Sequence, residues 1–222
     1  MIENIAQERG HDIVLKIDLE HGDIDYAQMD VAIDFSTPDA AFDNIDGCLR
    51  NGIPIISGTT GWLHRYEDAV KLCYEEQGAF IYASNFSLGV NIFFELNKTL
   101  ARMMGQLSQY RVSMEEIHHT QKLDAPSGTA ITLAEGIIEN SGYESWKLVE
   151  DSAEAREIAI TSKRIGDTPG THTISYSSKV DRLEIKHTAH NREGFALGAV
   201  IAAEWIIGKT GVYNMKDVLN LG

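Results

Sequence analysis

The residues best suited to chemistry lie within positions 115–130, a stretch that reads EEIHHTQKLDAPSGTA. It contains two adjacent histidines, His118 and His119, and Lys122 follows on the same predicted loop. Histidine has the side-chain pKa nearest to neutrality, so it can give or take a proton. A neighbouring lysine can supply a cation or a second proton. This combination is typical of reduction or proton transfer on a small charged substrate.

The same stretch also predicts an anion-binding site. Residues 110–117 alternate like a half-buried strand, and a helical pattern begins after Ser127, a favourable N-cap residue. Gly128 and Thr129 would be the first helical residues, and their backbone N–H groups would point outward toward a carboxylate or phosphate. Asp124 is expected to tie down the loop. The alternative for the whole stretch is a polar loop that caps an ordinary helix.

Strands and helices alternate in the first half of the chain. We predict a helix over residues 1–10, then strands at 13–17, 31–35, 53–57 and 79–83, with helices at 37–49, 66–76 and from 86 to about 104. This alternation indicates a parallel sheet with helices on both faces, hence an α/β fold. Ligands bind such sheets at the carboxyl ends of the strands.

Three groups of residues fall at those carboxyl ends. Asp18 follows the strand predicted at 13–17. The turn Gly58-Thr59-Thr60-Gly61 follows the strand predicted at 53–57, and the segment Ala83-Ser84-Asn85-Phe86 follows the strand predicted at 79–83. Glycine lets the backbone approach a ligand closely, and an aspartate at a strand end can accept the hydroxyls of a ribose. Plain strand-end turns are the alternative for the first two groups.

The alternation of strands and helices ends after residue 117. Strand-like runs at 157–165, 171–178 and 182–187 follow one another without helices, which predicts a second, α+β domain with a mainly antiparallel sheet. The outer face of that sheet is a candidate oligomer surface. Arg192 precedes a final helix at 195–207 and is a candidate substrate ligand, with a solvated turn arginine as the alternative.

Composition narrows the possible classes of protein. The 222 residues carry a net charge of −14, which argues against binding to nucleic acid because the phosphates would repel the protein. Cys48 and Cys73 are the only cysteines, so neither a disulfide framework nor a cysteine metal site is indicated, and we predict no metal. Without a signal peptide or a long apolar run, the expectation is a soluble cytoplasmic protein that does not associate with membranes.

The stretch from 115 to 130 resembles the active-site motif of the dihydrodipicolinate reductase family. That motif reads Glu, a short gap, two histidines, two variable residues, lysine, one variable residue, then Asp-Ala-Pro-Ser-Gly-Thr-Ala, and all of it is present. The resemblance extends to the Gly-Thr-Thr-Gly turn, the segment 83–86 and the ending at 213–219. It implies a Rossmann-like nucleotide domain, residues 1–86 joined by 192–222, and a substrate-binding and oligomerisation domain, residues 87–191.

The resemblance also implies a reaction. Such enzymes of lysine and diaminopimelate biosynthesis pass a hydride from NADH or NADPH to a cyclic imine dicarboxylate, giving tetrahydrodipicolinate, and form homotetramers. His118 would be the general acid or base and Lys122 the proton donor. His119, Ser127, Gly128, Thr129 and Arg192 would hold the substrate. The turn at 58–60 and residues 83–86 would line the nucleotide, with Asp18 at its ribose. Because no arginine follows Asp18 at Leu19 or Glu20, we expect NADH to be preferred.

One departure from the family leaves other functions open. The family carries a strand and a glycine-rich turn immediately before the first helix, and this sequence has neither. That turn donates backbone N–H groups to the pyrophosphate, so we expect the chain as written to bind dinucleotide poorly. The alternatives are another NAD(P)-dependent reductase of similar architecture, a small-ligand binder without activity, and a truncated chain that binds substrate but is catalytically impaired.

Overall fold

The computed structural model describes residues 1–18, 24–149 and 154–221. The chain divides into two compact units, one formed by residues 1–88 with 193–222 and the other by residues 89–192. The strands are β1 Ala32–Asp34, β2 Ile55–Ser57, β3 Ala79–Tyr82, β4 Arg111–His118, β5 Ser145–Leu148, β6 Glu157–Arg164, β7 Gly170–Ser177, β8 Arg182–Ala189 and β9 Gly211–Tyr213. The helices are α1 Ile2–Glu8, α2 Pro38–Arg50, α3 Tyr66–Glu75, α4 Leu88–Met104, α5 Gly128–Asn140, α6 Glu193–Ile206 and α7 Met215–Leu219.

The first unit contains a parallel sheet with the strand order β1-β2-β3-β9. Its central strands β2 and β3 are almost wholly buried, because helices cover the apolar residues that such strands present on both faces. One core cluster joins β2 and β3 to α2 and α3, and another joins them to α6 and α7. The predicted parallel α/β unit is therefore confirmed.

The ends of its helices follow local rules that the sequence displays. Gly10 has a φ of +91°, and the N–H groups of Gly10 and His11 bond back to Gln7 and Ala6, which closes α1 with a Schellman motif. Helix α2 begins after Thr37 with a proline as its first residue, and the turn after it contains Gly52 at a φ of +72°.

The strand predicted at residues 13–17 is wrong. Residues 11–18 adopt no regular structure, and the four apolar side chains in this segment are 38–50% exposed: Ile13, Val14, Leu15 and Ile17. A strand persists only where a neighbouring strand satisfies its backbone groups, and none of the described residues pairs with this segment. Asp18 is therefore an exposed residue of an irregular segment, and Leu19 and Glu20 lie outside the described residues.

The second unit contains a five-stranded sheet with the order β5-β6-β4-β7-β8. The pairs β4–β7 and β7–β8 are antiparallel, whereas β4–β6 and β5–β6 are parallel. The sheet is thus mixed: the antiparallel pairs that the sequence predicts are present, and the parallel pairs of β6 with β4 and β5 accompany them. Helix α5 supplies the reason, because a helical crossover between β4 and β6 lets the two strands run in the same direction.

One face of this mixed sheet carries the core of the second unit. Met114, Ile160 and Ile174 project from β4, β6 and β7 and pack with Leu133 and Ile137 of α5. These side chains are essentially inaccessible to solvent. Among the described residues, no helix has the length and apolar character needed to cross a membrane.

Candidate active site

The site is built on the buried face of β4. Along this strand the burial alternates, so that Val112, Met114, Glu116 and His118 all point to the core side. Met114 belongs to the apolar core, while Glu116 and His118 continue the same face with polar side chains. Residues two apart on a strand share a face, and this spacing places a carboxylate next to the proposed acid.

Strand pairing brings further polar groups beside Glu116. In the register of the sheet, Glu116 lies opposite Ser162 on β6 and His172 on β7. Directly opposed residues have side chains in mutual contact range. A row of three polar residues therefore crosses the sheet at the end of the apolar core.

Glu116 is completely buried and is the centre of a hydrogen-bond network. The backbone N–H of Ser127 donates to both of its carboxylate oxygens at 3.1 Å. The hydroxyl of Ser162 donates to Oε1 over 2.7 Å, and the Arg164 guanidinium lies 3.3 Å from the same oxygen. A buried carboxylate is tolerated only with such compensation.

Two histidine rings lie on the other side of this carboxylate. His118 Nδ1 is 3.3 Å from Glu116 Oε2, and His172 Nε2 is 3.7 Å from the same atom. The rings meet edge to face with their centroids 5.1 Å apart. His172 Nε2 also lies 3.1 Å from the Ser127 hydroxyl, so that Ser127 contacts both Glu116 and His172.

The network fixes the charge of its members. Burial by itself would raise the pKa of Glu116, but its contacts with His118 and His172 and the hydrogen bonds from Ser127 and Ser162 outweigh burial and hold that pKa far below its ordinary value. Burial lowers the pKa of His172, which keeps this imidazole neutral near pH 7. The site therefore contains one fixed negative charge under two histidines.

The loop after His118 is held by charged contacts. Lys122 Nζ donates to Asp124 at 2.8 Å, which lowers the pKa of that carboxyl. Arg164 donates to the backbone carbonyls of Lys122 and Asp124 as well as to Glu116. The structural role expected for Asp124 agrees with these contacts, and Arg164 links the loop to the buried network.

The predicted N-terminus of α5 is confirmed. Ser127 is its N-cap, and the Ser127 hydroxyl accepts the N–H of Ala130 at 3.2 Å. Gly128 and Thr129 are the next two residues, and no acceptor for their backbone N–H groups is found within the described ranges 1–18, 24–149 and 154–221. These two groups are free to bind an anion, as helix N-termini commonly do.

Two sequence-predicted substrate ligands stand apart from this network. His119 is half-buried and immediately follows the end of β4, outside the alternation of the strand. Arg192 is exposed and is the last residue of the second unit. Their roles therefore stay predictions.

In the first unit, the predicted nucleotide ligands follow β2 and β3. A side chain at Gly58 would collide with the Phe35 ring, since a Cβ there would lie 2.2 Å from it. The Thr59 side chain is buried against Asp34, whereas Thr60 is exposed. Thr59 can thus offer a ligand only its backbone.

The segment after β3 divides in the same way. Phe86 is buried in the core, and its carbonyl lies directly over Gly198, where a Cβ would come within 1.7 Å. Ser84 is exposed, Ala83 is half-buried, and Asn85 accepts the backbone N–H of Ser87 at 2.9 Å. Ala83 and Ser84 are therefore the members of this group that are placed to meet a ligand.

The residues at this edge of the parallel sheet fit part of a nicotinamide nucleotide. The Phe35 ring follows β1 and is 48% exposed, and Thr60 and Ser84 offer exposed hydroxyls after β2 and β3. A flat apolar ring beside hydroxyl groups can bind a planar base and a ribose.

Sequence inspection missed several members of the site. The sequence could have indicated Glu116, because Glu116 lies two residues before His118 in an alternating strand and so shares its face. Ser162, Arg164 and His172 give no local signal, since they join Glu116 only through the register of three strands.

Comparisons with known proteins agree with this architecture. A family model described as the N-terminus of dihydrodipicolinate reductase matches residues 2–86, and one described as its C-terminus matches residues 89–219. A 4-hydroxy-tetrahydrodipicolinate reductase of Christiangramia forsetii is 57% identical over 99% of this chain and 92% of its own length. One of Neisseria gonorrhoeae is 36% identical over 99% of this chain and 84% of its own.

A solved structure is similar as well. The dipicolinate-bound dihydrodipicolinate reductase from Paenisporosarcina sp. TG-14 superimposes with a TM-score of 0.66 at 25% identity, covering 83% of this chain and 71% of that one. The two family models together span nearly the whole sequence. The chain belongs to the dihydrodipicolinate reductase family.

Proposed function

We propose that this protein is the reductase of lysine and diaminopimelate biosynthesis that converts 4-hydroxy-tetrahydrodipicolinate to tetrahydrodipicolinate with a reduced nicotinamide nucleotide. One observation carries the proposal beyond family membership. The Glu116 carboxylate contacts both the His118 ring and the backbone N–H of Ser127, the N-cap residue of α5. A proton-transfer group therefore lies beside a helix N-terminus that can bind a carboxylate of the substrate. A cyclic dicarboxylate that accepts a hydride and a proton requires both.

The substrate is held by the second unit. The N–H groups of Gly128 and Thr129 bind one carboxylate, with the Ser127 cap fixing the turn. His119 and Arg192 supply further hydrogen bonds to the dicarboxylate. These groups neutralise the negative charge that the substrate brings to an acidic protein.

His118 and Lys122 carry out the proton transfers. His118 acts as general acid or base, and Lys122 donates the proton that balances the hydride. Lys122 is held in reach by its hydrogen bond to Asp124, and the lysine side chain is 22% exposed. This partial burial keeps bulk water from competing for the proton.

The nucleotide is held by the first unit and, when bound, supplies the hydride. The nicotinamide half is oriented at the carboxyl ends of β2 and β3. The backbone groups of Gly58, Thr59 and Thr60 contribute after β2, and Ala83 and Ser84 contribute after β3. Asn85 and Phe86 support this edge through a backbone hydrogen bond and the core. We place the enzyme in the cytoplasm, in line with the biosynthetic reductases that the chain resembles.

We propose that NADH is preferred over NADPH. Asp18 is exposed, and an aspartate there accepts ribose hydroxyls but repels a 2′-phosphate. The specificity constant kcat/KM for NADH should exceed that for NADPH. Asp18→Ser should bring the two constants closer together, because it removes the repulsion between the aspartate and the 2′-phosphate of NADPH. Equal kinetics with the two nucleotides in the wild-type enzyme would remove this assignment.

Activity is tested by following the oxidation of NADH with the cyclic imine dicarboxylate as substrate. A panel of other cyclic imines and 2-oxo acids provides the comparison. We expect turnover with the cyclic imine dicarboxylate and little with the panel. Turnover confined to a member of the panel would assign a different reductase. Calorimetric titration with NADH, run in parallel, separates failure of nucleotide binding from failure of chemistry.

We further propose that other copies of the chain cover the outer face of the mixed sheet in a homotetramer. That face carries small polar residues and paired charges, including Ser113 and Thr173, and the ion pairs Lys163–Glu115 and Arg182–Glu184. Such paired charges can exchange partners across an interface. Analytical ultracentrifugation gives the mass in solution, and a monomer at enzyme concentrations used in assays would contradict the assembly.

A further inference from the structure

We propose that Glu116 is a positioning residue, which fixes His118 with its proton on Nδ1 and binds the N-terminus of α5 with the same carboxylate. The proton-transfer group and the carboxylate-binding turn are then held at a constant separation by one side chain. The inference rests on the proposed function where it assigns proton transfer to His118. The state of the His118 ring itself can be measured independently of that assignment.

The first step is the identity of the atoms that face each other. Glu116 is 0% exposed and ionised, so its oxygens can only accept hydrogen bonds. His118 Nδ1 is buried and lies 3.3 Å from Oε2 without a well-aligned hydrogen bond to any described residue. Because two lone pairs at this distance would repel, Nδ1 must carry the proton. Such contacts are often long in a ligand-free enzyme and tighten with substrate.

The second step is the free nitrogen of the same ring. His118 Nε2 lies against Gly170, where a Cβ would come within 3.2 Å of it. A glycine here leaves room beside Nε2 that any other residue would fill. With Nδ1 committed to Glu116, Nε2 is the nitrogen that exchanges a proton with the substrate.

The third step concerns the surrounding charges. His172 is neutral because burial lowers its pKa, and its Nε2 is 3.1 Å from the Ser127 hydroxyl. Arg164 is the cation in contact with Glu116, at 3.3 Å, and Lys122 is paired with Asp124. Glu116 is therefore the anion that faces His118 from its own strand, and its removal changes the charge at that ring most directly.

A metal ion is the competing explanation for this cluster. Glu116, His118 and His172 have ligand-type atoms within 4.8 Å of one another. However, the Ser127 N–H donates to both Glu116 oxygens, and Ser162 and Arg164 donate to one of them. A cation would have to compete with the Arg164 guanidinium for this carboxylate. The arrangement is that of a hydrogen-bond network.

The decisive test is nuclear magnetic resonance of the histidine ring nitrogens, on wild-type protein and on Glu116→Gln. We expect neutral His118 in the wild type to be protonated at Nδ1. In Glu116→Gln we expect a mixture of tautomers or the Nε2-protonated form. Glu139→Gln is the matched control, since Glu139 is an exposed carboxylate at the opposite end of α5 from Ser127.

Kinetics provide the second readout. Glu116→Gln should lower kcat at least about tenfold, part of the ~10²–10⁴-fold that general acid–base catalysis contributes. The alkaline limb of its pH–rate profile should move to lower pH, because a lost negative charge disfavours a protonated ring. Glu116→Asp keeps the negative charge, so it should recover part of the lost kcat and part of the shift in the pH–rate profile. Glu139→Gln should leave kcat and the pH–rate profile unchanged.

Two results would overturn the proposal. One is a wild-type His118 protonated at Nε2, which needs no variant and stands even if Glu116→Gln fails to fold. The other is a folded Glu116→Gln enzyme with the wild-type tautomer and pH profile. An Nδ1-protonated His118 in a protein without reductase activity would instead refute the proposed function and leave the positioning role in place.

Discussion

The hydroxyl of Thr59 donates a hydrogen bond to Asp34 Oδ2 over 2.8 Å and accepts the backbone N–H of Ser36 over the same distance. Asp34 ends β1 and is buried, and it also accepts hydrogen bonds from three other side chains, those of Ser36, Asn44 and Ser57. One carboxylate thus joins the turns after β1 and β2. The side chain of Thr59 belongs to this framework, and the exposed Thr60 beside it remains for a ligand.

Replacing this carboxylate should weaken both the fold and the nucleotide site. Asp34→Ala leaves several donors unsatisfied, at about 1–3 kcal/mol for a buried polar group. We expect the free energy of unfolding to fall by roughly 2–4 kcal/mol and the KM for NADH to rise more than kcat falls. Denaturant titration and steady-state kinetics measure these effects. Asp30→Ala, an exposed aspartate outside the network, is the control, and equal behaviour of the two variants would show that Asp34 positions nothing.

The role of His118 predicts a specific loss. His118→Gln keeps a polar side chain of similar size but cannot exchange a proton, so turnover should fall by roughly a hundredfold or more. Circular dichroism should show an unchanged fold. His64→Gln, at an exposed histidine of the first unit, is the matched control. Near-normal turnover of His118→Gln would assign the acid elsewhere, with Lys122→Ala as the next variant to measure.

The helix N-terminus can be tested with a single proline. Gly128 is the first residue of α5, where proline is tolerated, and Ser127 before it has φ −67° and ψ 156°, which a following proline accepts. Gly128→Pro therefore removes one backbone N–H and should keep the helix. We expect the substrate KM to rise about tenfold, the loss of one charge-assisted hydrogen bond.

Gly128→Ala is the control for that change. A Cβ at Gly128 would meet nothing within 4 Å, and the N–H is retained. The alanine variant should bind substrate as the wild type does. If the proline variant has the same KM as the alanine variant, the N-terminus of α5 does not hold the carboxylate.

An ion pair gives a pH-dependent prediction for the first unit. Glu204 of α6 accepts hydrogen bonds from Arg9 and from His11, and chiefly the Arg9 contact lowers the pKa of Glu204 to about 2. A lowered folded-state pKa contributes stability above the ordinary value of about 4.3, and this contribution is lost as the pH falls toward 2. These side chains are partly exposed, so the effect should be small.

We expect Glu204→Gln to lower the melting temperature slightly near neutral pH, with the difference from wild type shrinking in acid below about pH 4. Thermal unfolding across a pH series measures this. Glu8→Gln, at an exposed residue of α1, should show no such trend. A constant difference at every pH would mean that the ionised form of Glu204 is not what stabilises the contact.

Much of the architecture follows from local rules. The alternation along β4 and the cap at Ser127 depend on neighbouring residues, and the sequence alone predicts both. The parallel direction of β1, β2 and β3 follows from the alternation of strands and helices. Each of these features depends on forces that act within a few residues of chain.

Other features depend on partners far away in the sequence. Residues 13–17 have the composition of a strand, but they form none because no described segment pairs with them. The parallel pairing of β4 with β6 was missed for a related reason, since strand direction is set by where the crossover helix returns the chain.

The active site shows the same division. Sequence by itself determined that His118, Lys122 and the N-terminus of α5 lie close together, because they occupy a short stretch of chain. Only the tertiary structure placed Arg164 and His172 around Glu116, because strand register alone brings residues 48 and 56 positions away to one carboxylate. A buried charge needs several donors at once, and only the folded sheet can assemble them.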